Sequence, residues 1–404
     1  MPDSNPPTPS ISLPTGFHFD QVSSVPTTGL RLIASFPPPL GALAAFTGSW
    51  TGSGFNMIFR PQSSQTPTPL PQPGQGPNDN ILELNLTSES LTFSPSLGSV
   101  PNRGFVQGDI FLNGIPYLQA VSDVTNPSAP VGIHVEPGLW MAVPQTTDPA
   151  VVATVVRMAS IPHGTTINLQ GTVSAAATGA PVIPSIDPTP FFDSTKETFP
   201  FPSQTAAAAN TFRIPQDLTS FIAAGTITQA ILTDPNTVLR NAIAGQSIVE
   251  TTTIEVASAA PAPADPLFVP SIGGGTDNIA FLTVNADVPV QQAGPSSRTL
   301  AGVKATFWIE AVEHVINVPV FHPGQPPLHL PSVSPVAGGK PGPTFVVQPP
   351  TAITAPRQIR VQSTQIQYSQ VVLLNFNGLT WPHVSVGTLT PAGSVTVPPS
   401  AWGG

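Results

Sequence analysis

Cysteine is absent from this 404-residue chain, and charged residues make up only 8% of it. Without cysteine, disulfide frameworks, thiolate metal sites and cysteine nucleophiles are excluded. The 12 Lys and Arg residues form no cluster and are outnumbered by 21 Asp and Glu residues, which gives a net charge of −9. Binding to nucleic acid or to anionic lipid is not expected, because both depend on concentrated positive charge.

Long apolar runs are also missing. No stretch approaches the roughly 20 consecutive apolar residues that a membrane span needs. The first residues, Met1-Pro2-Asp3-Ser4, lack the basic and apolar parts of a signal peptide. We therefore expect a soluble, cytoplasmic protein without a membrane span. The 53 prolines and 33 glycines interrupt every long pattern, so long helices are not expected.

Short apolar segments with a period of two predict an all-β fold. Leu82, Leu84 and Leu86 alternate with polar residues, as in a half-buried antiparallel strand. Similar segments recur at short intervals along the chain. Asn113-Gly114 predicts a hairpin turn between two of them, because both residues accept a positive φ. Together these features favour a sandwich or a barrel.

A glycine motif near the start of the first of these segments is more specific. In Gly48-Ser49-Trp50-Thr51-Gly52-Ser53-Gly54, alternation places one indole and three glycines on the same face of a strand. Glycine weakens a strand, so three on one face suit a sharp bend or the close approach of a flat ligand. Either alternative predicts a tightly curved barrel.

The chain divides by composition into a barrel and additions to it. We expect one barrel domain over residues 41–391, a Pro-rich lead-in over 1–40 and a tail over 392–404. Insertions are expected at about 172–275, with loops and short helices, and at 319–356, which is rich in Pro and Gly. The first insertion is expected to pack on one end of the barrel.

His383 is the strongest candidate ligand residue. It lies on the last predicted strand and shares a face with Ser385, Gly387 and Leu389. The small residues leave space beside the imidazole, as a planar macrocycle coordinated by its nitrogen would require. A histidine near a strand start is also often structural, so both interpretations stay open.

Four motifs, in order, resemble the nitrobindin family. They are the glycine motif, a His134-Val135-Glu136 segment followed by Trp140, the turn Pro162-His163-Gly164, and a last strand with Leu379 four residues before His383. The resemblance covers about residues 41–171 and 364–391. Other segments have no counterpart in the family.

The resemblance implies a calycin-type antiparallel barrel that holds haem b, with His383 as the iron ligand. It places Gly48, Trp50, Gly52, Gly54, His134, Trp140, His163 and Ser385 around the cofactor. Ser385 would fix the imidazole tautomer, and His134 and His163 would lie on the distal side or at the mouth. The implied activities are nitric oxide binding and peroxynitrite isomerisation.

Two alternatives keep the barrel without iron. One is a carrier of an apolar, lipid-like small molecule in which His383 is structural, and the other is a lipocalin-like enzyme that uses pocket histidines as acid and base. A metal site formed by His314, His322 and His329 is a weaker hypothesis, because their spacing matches no known motif. The carboxylates of Glu310 and Glu313 are expected to be solvated.

Overall fold

The structure is a computed structural model. It describes residues 38–62, 80–103, 107–147, 150–162, 166–192, 195–257, 300–333, 343–376 and 379–402, with a few single positions such as 17–19 and 164. Ten long strands dominate it: β1 (Gly48–Pro61), β2 (Asn80–Phe93), β3 (Ile110–Asp123), β4 (Val131–Val143), β5 (Thr154–Ser160), β6 (Thr166–Val173), β7 (Ser247–Ala257), β8 (Leu300–Val318), β9 (Arg357–Phe376) and β10 (Leu379–Pro391).

These ten strands form one closed barrel. Each strand pairs with the next along the chain, and β10 pairs with β1, so the meander closes on itself. All ten pairings are antiparallel. The predicted all-β antiparallel barrel is confirmed. Asn113-Gly114 is not a turn, however, since both residues lie within β3.

The glycines of the first motif let two strands approach closely. Gly52 and Gly54 lie opposite Leu389 and Gly387 of β10. A Cβ atom on Gly54 would lie 1.9 Å from the carbonyl oxygen of Val386, and one on Gly52 would meet the neighbouring backbone at 2.0 Å. Any side chain at either position would push β1 and β10 apart. The motif therefore serves the sharp curvature of the barrel wall.

Alternation along the strands gives the wall two buried faces. On β1, Trp50 points into the apolar core inside the barrel, whereas Phe55, Met57 and Phe59 belong to a second core on its outer side. The inner core fills one end of the barrel. Its aromatic members are Phe46, Trp50, Phe93, Tyr117, Trp140, Phe307 and Tyr368.

A partly helical insertion between β6 and β7 covers the outer core. It contains α1 (Thr219–Ala223), α2 (Gln229–Thr233) and α3 (Thr237–Ile243). Ile231 and Leu239 pack with Trp381 in the outer core. The insertion lies against the side wall of the barrel. The sequence-based expectation that it packs on one end is therefore wrong. The insertion is also shorter than the segment 172–275, because that segment contains β7.

Shorter elements complete the chain. A third apolar cluster joins the extended ends of β8 and β9 to a small sheet of Leu328–Pro331, Thr344–Val347 and Val395–Thr396. Other short strands are Val100–Asn102, Thr146–Thr147, Ala150–Val151, Ala177–Thr178, Phe191–Phe192 and Arg213–Ile214, and the 3-10 turns are Gly41–Ala45, Pro202–Gln204 and Pro399–Trp402. None of the helices in the described ranges is long and apolar enough to cross a membrane.

Candidate ligand-binding cavity

The part of the barrel that the apolar core leaves open is a cavity of about 390 Å³. Its wall is divided between apolar and polar side chains. The apolar part includes Val121, Ile161, Ile167, Phe307, Val372 and Leu374. The polar part consists mainly of amides, hydroxyls and imidazoles, with one arginine. Such a cavity can hold a ligand with an apolar body and a few hydrogen-bonding groups.

Three of the sequence-predicted site residues line this cavity: His134, His383 and Ser385. His163 lies outside the described residues, although its neighbours Ile161 and Gly164 are on the cavity wall. The cavity therefore brings together His134 on β4 and His383 on β10, which are far apart in the sequence.

The other predicted residues have different positions. Trp50 and Trp140 are buried in the inner apolar core. Gly48 begins β1 with a φ of +66°, a conformation that favours glycine. Gly52 and Gly54 serve the contact with β10 described above. None of these five residues is among those that line the cavity.

Asn56 links the imidazole of His383 to its neighbours. The Asn56 Nδ2 atom lies 2.7 Å from His383 Nε2 and donates to Ser385 Oγ at 2.9 Å. An amide NH2 group can only donate, so Nε2 is the acceptor and His383 is in its neutral Nδ1–H form. Asn85 donates in turn to Asn56 Oδ1 at 3.4 Å.

A second polar group centres on Arg157. Its Nη2 donates to Glu136 Oε1 at 2.6 Å, its Nε to Tyr117 Oη at 2.9 Å and its Nη1 to Gln370 Oε1 at 2.7 Å. Tyr117 also donates to Glu136. Both members of the ion pair are buried, with side-chain exposures of 5% for Arg157 and 0% for Glu136.

The ion pair decides the charge of Glu136. Burial alone would raise the pKa of this carboxyl, but Arg157, with hydrogen bonds from His134 and Tyr117, outweighs burial and holds the pKa at about 2. Burial likewise opposes the charge of Arg157, yet Glu136 raises the pKa of the guanidinium above its ordinary value. The pair is therefore fully ionised and electrically neutral as a unit.

Glu89 is a buried carboxyl whose two side-chain hydrogen-bond donors in the described part of the chain are neutral. It accepts hydrogen bonds from Gln119 Nε2 at 2.6 Å and from Tyr368 Oη at 2.7 Å, and both donors line the cavity. Burial raises the pKa of Glu89 to about 6, and the two hydrogen bonds only partly offset it. At neutral pH Glu89 is mostly an anion behind the cavity wall.

His134 forms a dyad with Glu136. The His134 Nε2 atom lies 3.2 Å from Glu136 Oε2, and the His134 side chain is 23% exposed. A carboxylate that holds an imidazole in one tautomer is an arrangement that general-base chemistry uses. It equally satisfies a buried charge, as here, where Glu136 has three partners.

The proposed three-histidine metal site does not form. His314 is buried between Ser332 and Ser363, with nitrogen-to-oxygen distances of 3.1 and 2.8 Å. His322 and His329 lie in the turn and the small sheet beyond β8. Within the described parts of the chain, no group of three or more His, Asp or Glu side chains could hold a metal ion.

The sequence analysis missed most of the polar groups of the cavity. Asn56 could have been found by extending the alternation Gly48, Trp50, Gly52, Gly54 by one more step. Arg157 carried one signal, because it is a lone cation in an apolar strand. Tyr117, Gln119 and Gln370 carried none. No family model, no curated protein and no solved structure matches the chain.

Proposed function

We propose that the barrel binds a small molecule with an apolar body and a hydrogen-bonding end. The observation that carries the proposal is the cavity of about 390 Å³ inside a closed sheet, lined both by apolar side chains and by amides and hydroxyls. The volume is within the range of roughly 300–1,000 Å³ that is typical of small-molecule sites. Burial of the apolar body would supply the affinity, at about 25 cal/mol per Å².

The polar wall would fix the orientation of the ligand. Asn56, Asn85 and Gln119 belong to three neighbouring strands, β1, β2 and β3, and their side chains share the inner face. Amide side chains both donate and accept, so they suit a hydroxyl, carbonyl or amide group. This is the haem-free carrier that the sequence left open as an alternative, with His383 as part of the polar wall.

A titration with Nile red, a neutral dye that fluoresces in apolar surroundings, tests the proposal. Val372→Trp fills the cavity and should weaken binding by about tenfold or more. The matched control is Val135→Trp on the outward face of β4, where the residue is 40% exposed. Equal binding by wild type and both variants, or no binding by wild type, would reject the proposal.

Haem b binding through His383, with the nitric oxide and peroxynitrite chemistry that the resemblance implies, stays a prediction. The residues as placed do not fit an iron ligand. Coordination would use the lone pair of Nε2, which accepts the Asn56 amide, and the Nδ1 atom carries the proton.

Equimolar hemin distinguishes this prediction from the carrier. A Soret band that is lost in His383→Ala and kept in Asn56→Ala would support haem ligation, because the second variant releases Nε2. No band, or the same band in His383→Ala, would reject haem ligation by His383 and leave the carrier as the remaining candidate function.

A further inference from the structure

The cavity has little to offer a negatively charged ligand. Among the described residues that line it, Arg157 is the only arginine and none is lysine. An arginine fork is the group best suited to a carboxylate, since it can donate two parallel hydrogen bonds. The state of Arg157 therefore decides whether the barrel can take an acid.

The guanidinium of Arg157 is already hydrogen-bonded to other side chains of the barrel. Each of its three nitrogens donates to an internal oxygen, and one of these oxygens belongs to the Glu136 carboxylate. Glu136 is fully buried and cannot move aside into water. It therefore holds the position on the guanidinium that a ligand carboxylate would take.

One further acid adds negative charge near the cavity. Glu89 is buried behind Gln119 and Tyr368, whereas Glu83 on the wall is paired with Arg60 at 3.1 Å. A carboxylate that entered would lose its water without gaining a cation, which is costly. The amide side chains can both donate to and accept from a neutral hydroxyl or amide group, which needs no counter-charge.

We infer that the barrel selects neutral hydrogen-bonding ligands, such as long-chain alcohols or amides, over carboxylates, and that Glu136 determines this selectivity. The inference rests on the proposed function, because it names the chemical class of ligand for the same cavity. Glu136 occupies the guanidinium of Arg157 and thereby excludes the carboxylate of a ligand.

Competition between two ligands of equal chain length tests the inference. Dodecanol and dodecanoate are each titrated against bound Nile red at about pH 8, where an ordinary carboxyl is ionised. In wild type, dodecanol should bind about tenfold more tightly or better. Glu136→Gln keeps the shape but leaves Arg157 with a net charge, so the ratio of dodecanoate to dodecanol affinity should rise about tenfold.

The control is Glu313→Gln, the same chemical change on β8 at a carboxyl that does not line the cavity, which should leave the ratio as in wild type. If Glu136→Gln does not fold, Glu89→Gln removes a different negative charge, and the ratio should rise about threefold. Equal affinities for the two ligands in wild type, or an unchanged ratio in the folded variant, would overturn the inference. A wild type that binds no Nile red would instead reject the proposed function.

Discussion

The inner and outer faces of the barrel wall each bury a glutamate completely, and the two carboxyls ionise in very different pH ranges. Glu136 inside the barrel and Glu310 on the outer face are both 0% exposed. The pKa of Glu136 is about 2, whereas burial raises the pKa of Glu310 to about 7. Depth of burial therefore does not decide whether a carboxyl in this wall is charged.

The partners of the two acids explain the difference. Glu136 has the guanidinium of Arg157, whereas Glu310 has one neutral donor, Gln365 Nε2, at 2.6 Å. The second oxygen of Glu310 has no hydrogen-bond partner among the residues that the structure describes. Glu89, with two neutral donors, has a pKa of about 6 and lies between them. Neutral donors reduce the cost of burying a carboxylate, but here only a cation reverses it.

The two acids affect stability with opposite dependence on pH. The pKa of Glu136 is lower in the folded than in the unfolded chain, so its stabilisation is present above about pH 4.5 and is lost as the pH falls towards 2. Folded Glu310 holds a proton that the unfolded chain releases. Its folded form is therefore most stable below about pH 4.5 and loses stability as the pH rises to about 7.

Removal of the cation should have the largest effect on stability. Arg157→Met should cost about 3–5 kcal/mol at neutral pH, because it leaves the Glu136 carboxylate buried without a counter-charge. Urea unfolding measures the loss, and Arg157→Met/Glu136→Met should recover much of it.

The matched control is Arg360→Met. Arg360 pairs with Glu313, but its side chain is 75% exposed, so its loss should cost less than about 1 kcal/mol. Equal effects of the two arginine variants would show that Arg157 does not hold the charge of Glu136.

Replacing Glu310 on the outer face should raise the stability of the protein instead of lowering it. Glu310→Gln mimics the protonated carboxyl, so it should stabilise the protein by about 3 kcal/mol at about pH 8 and by almost nothing at about pH 4. Urea unfolding at the two pH values measures the difference. A variant that is less stable than wild type at the higher pH would contradict the raised pKa.

Glu310 also shows what the sequence could not provide. We expected its carboxylate to be solvated, and this is wrong, because the segment from β6 to β7 covers the outer face of β8. Gln246, which follows α3, donates to Gln365 at 3.2 Å. No local pattern on β8 reveals a cover that comes from a distant segment of the chain.

The alternation on β2 predicts a strand, but it does not predict which face of the strand points into the barrel. Leu82 and Leu84 belong to the outer core, while Glu83 and Asn85 between them line the cavity. A period of two separates two faces without saying which one is inside, and here both are buried. The polar face of β2 therefore faces the interior of the barrel, which a half-buried strand does not suggest.

The turn predicted at Asn113-Gly114 failed for a related reason. A Cβ atom on Gly114 would lie 2.7 Å from the carbonyl oxygen of Trp140, so glycine is needed for a close contact between strands. Asn113 donates to Pro38 O at 2.7 Å and accepts from Ser96. Both residues are explained by contacts with distant parts of the chain, although together they match the sequence pattern of a turn.

A smaller effect should come from the intermediate acid. Glu89→Gln should stabilise the protein by about 2 kcal/mol at about pH 8 and should have little effect at about pH 4, because its folded pKa is raised less than that of Glu310. Thermal or urea unfolding at both pH values checks the ranking. A larger gain than that of Glu310→Gln would mean that Gln119 and Tyr368 do less for the Glu89 carboxylate than their distances imply.

The smallest effect is expected for the acid that shares β8 with Glu310 but reaches water. Glu313 pairs with Arg360, and its side chain is 20% exposed. Glu313→Gln should change the free energy of unfolding by less than about 1 kcal/mol, and the change should shrink at high salt, because solvent and ions screen the pair. Glu310→Gln should be insensitive to salt, since no ion reaches it. If both variants responded to salt alike, the outer face at Glu310 would be open to water, and its raised pKa would need another cause.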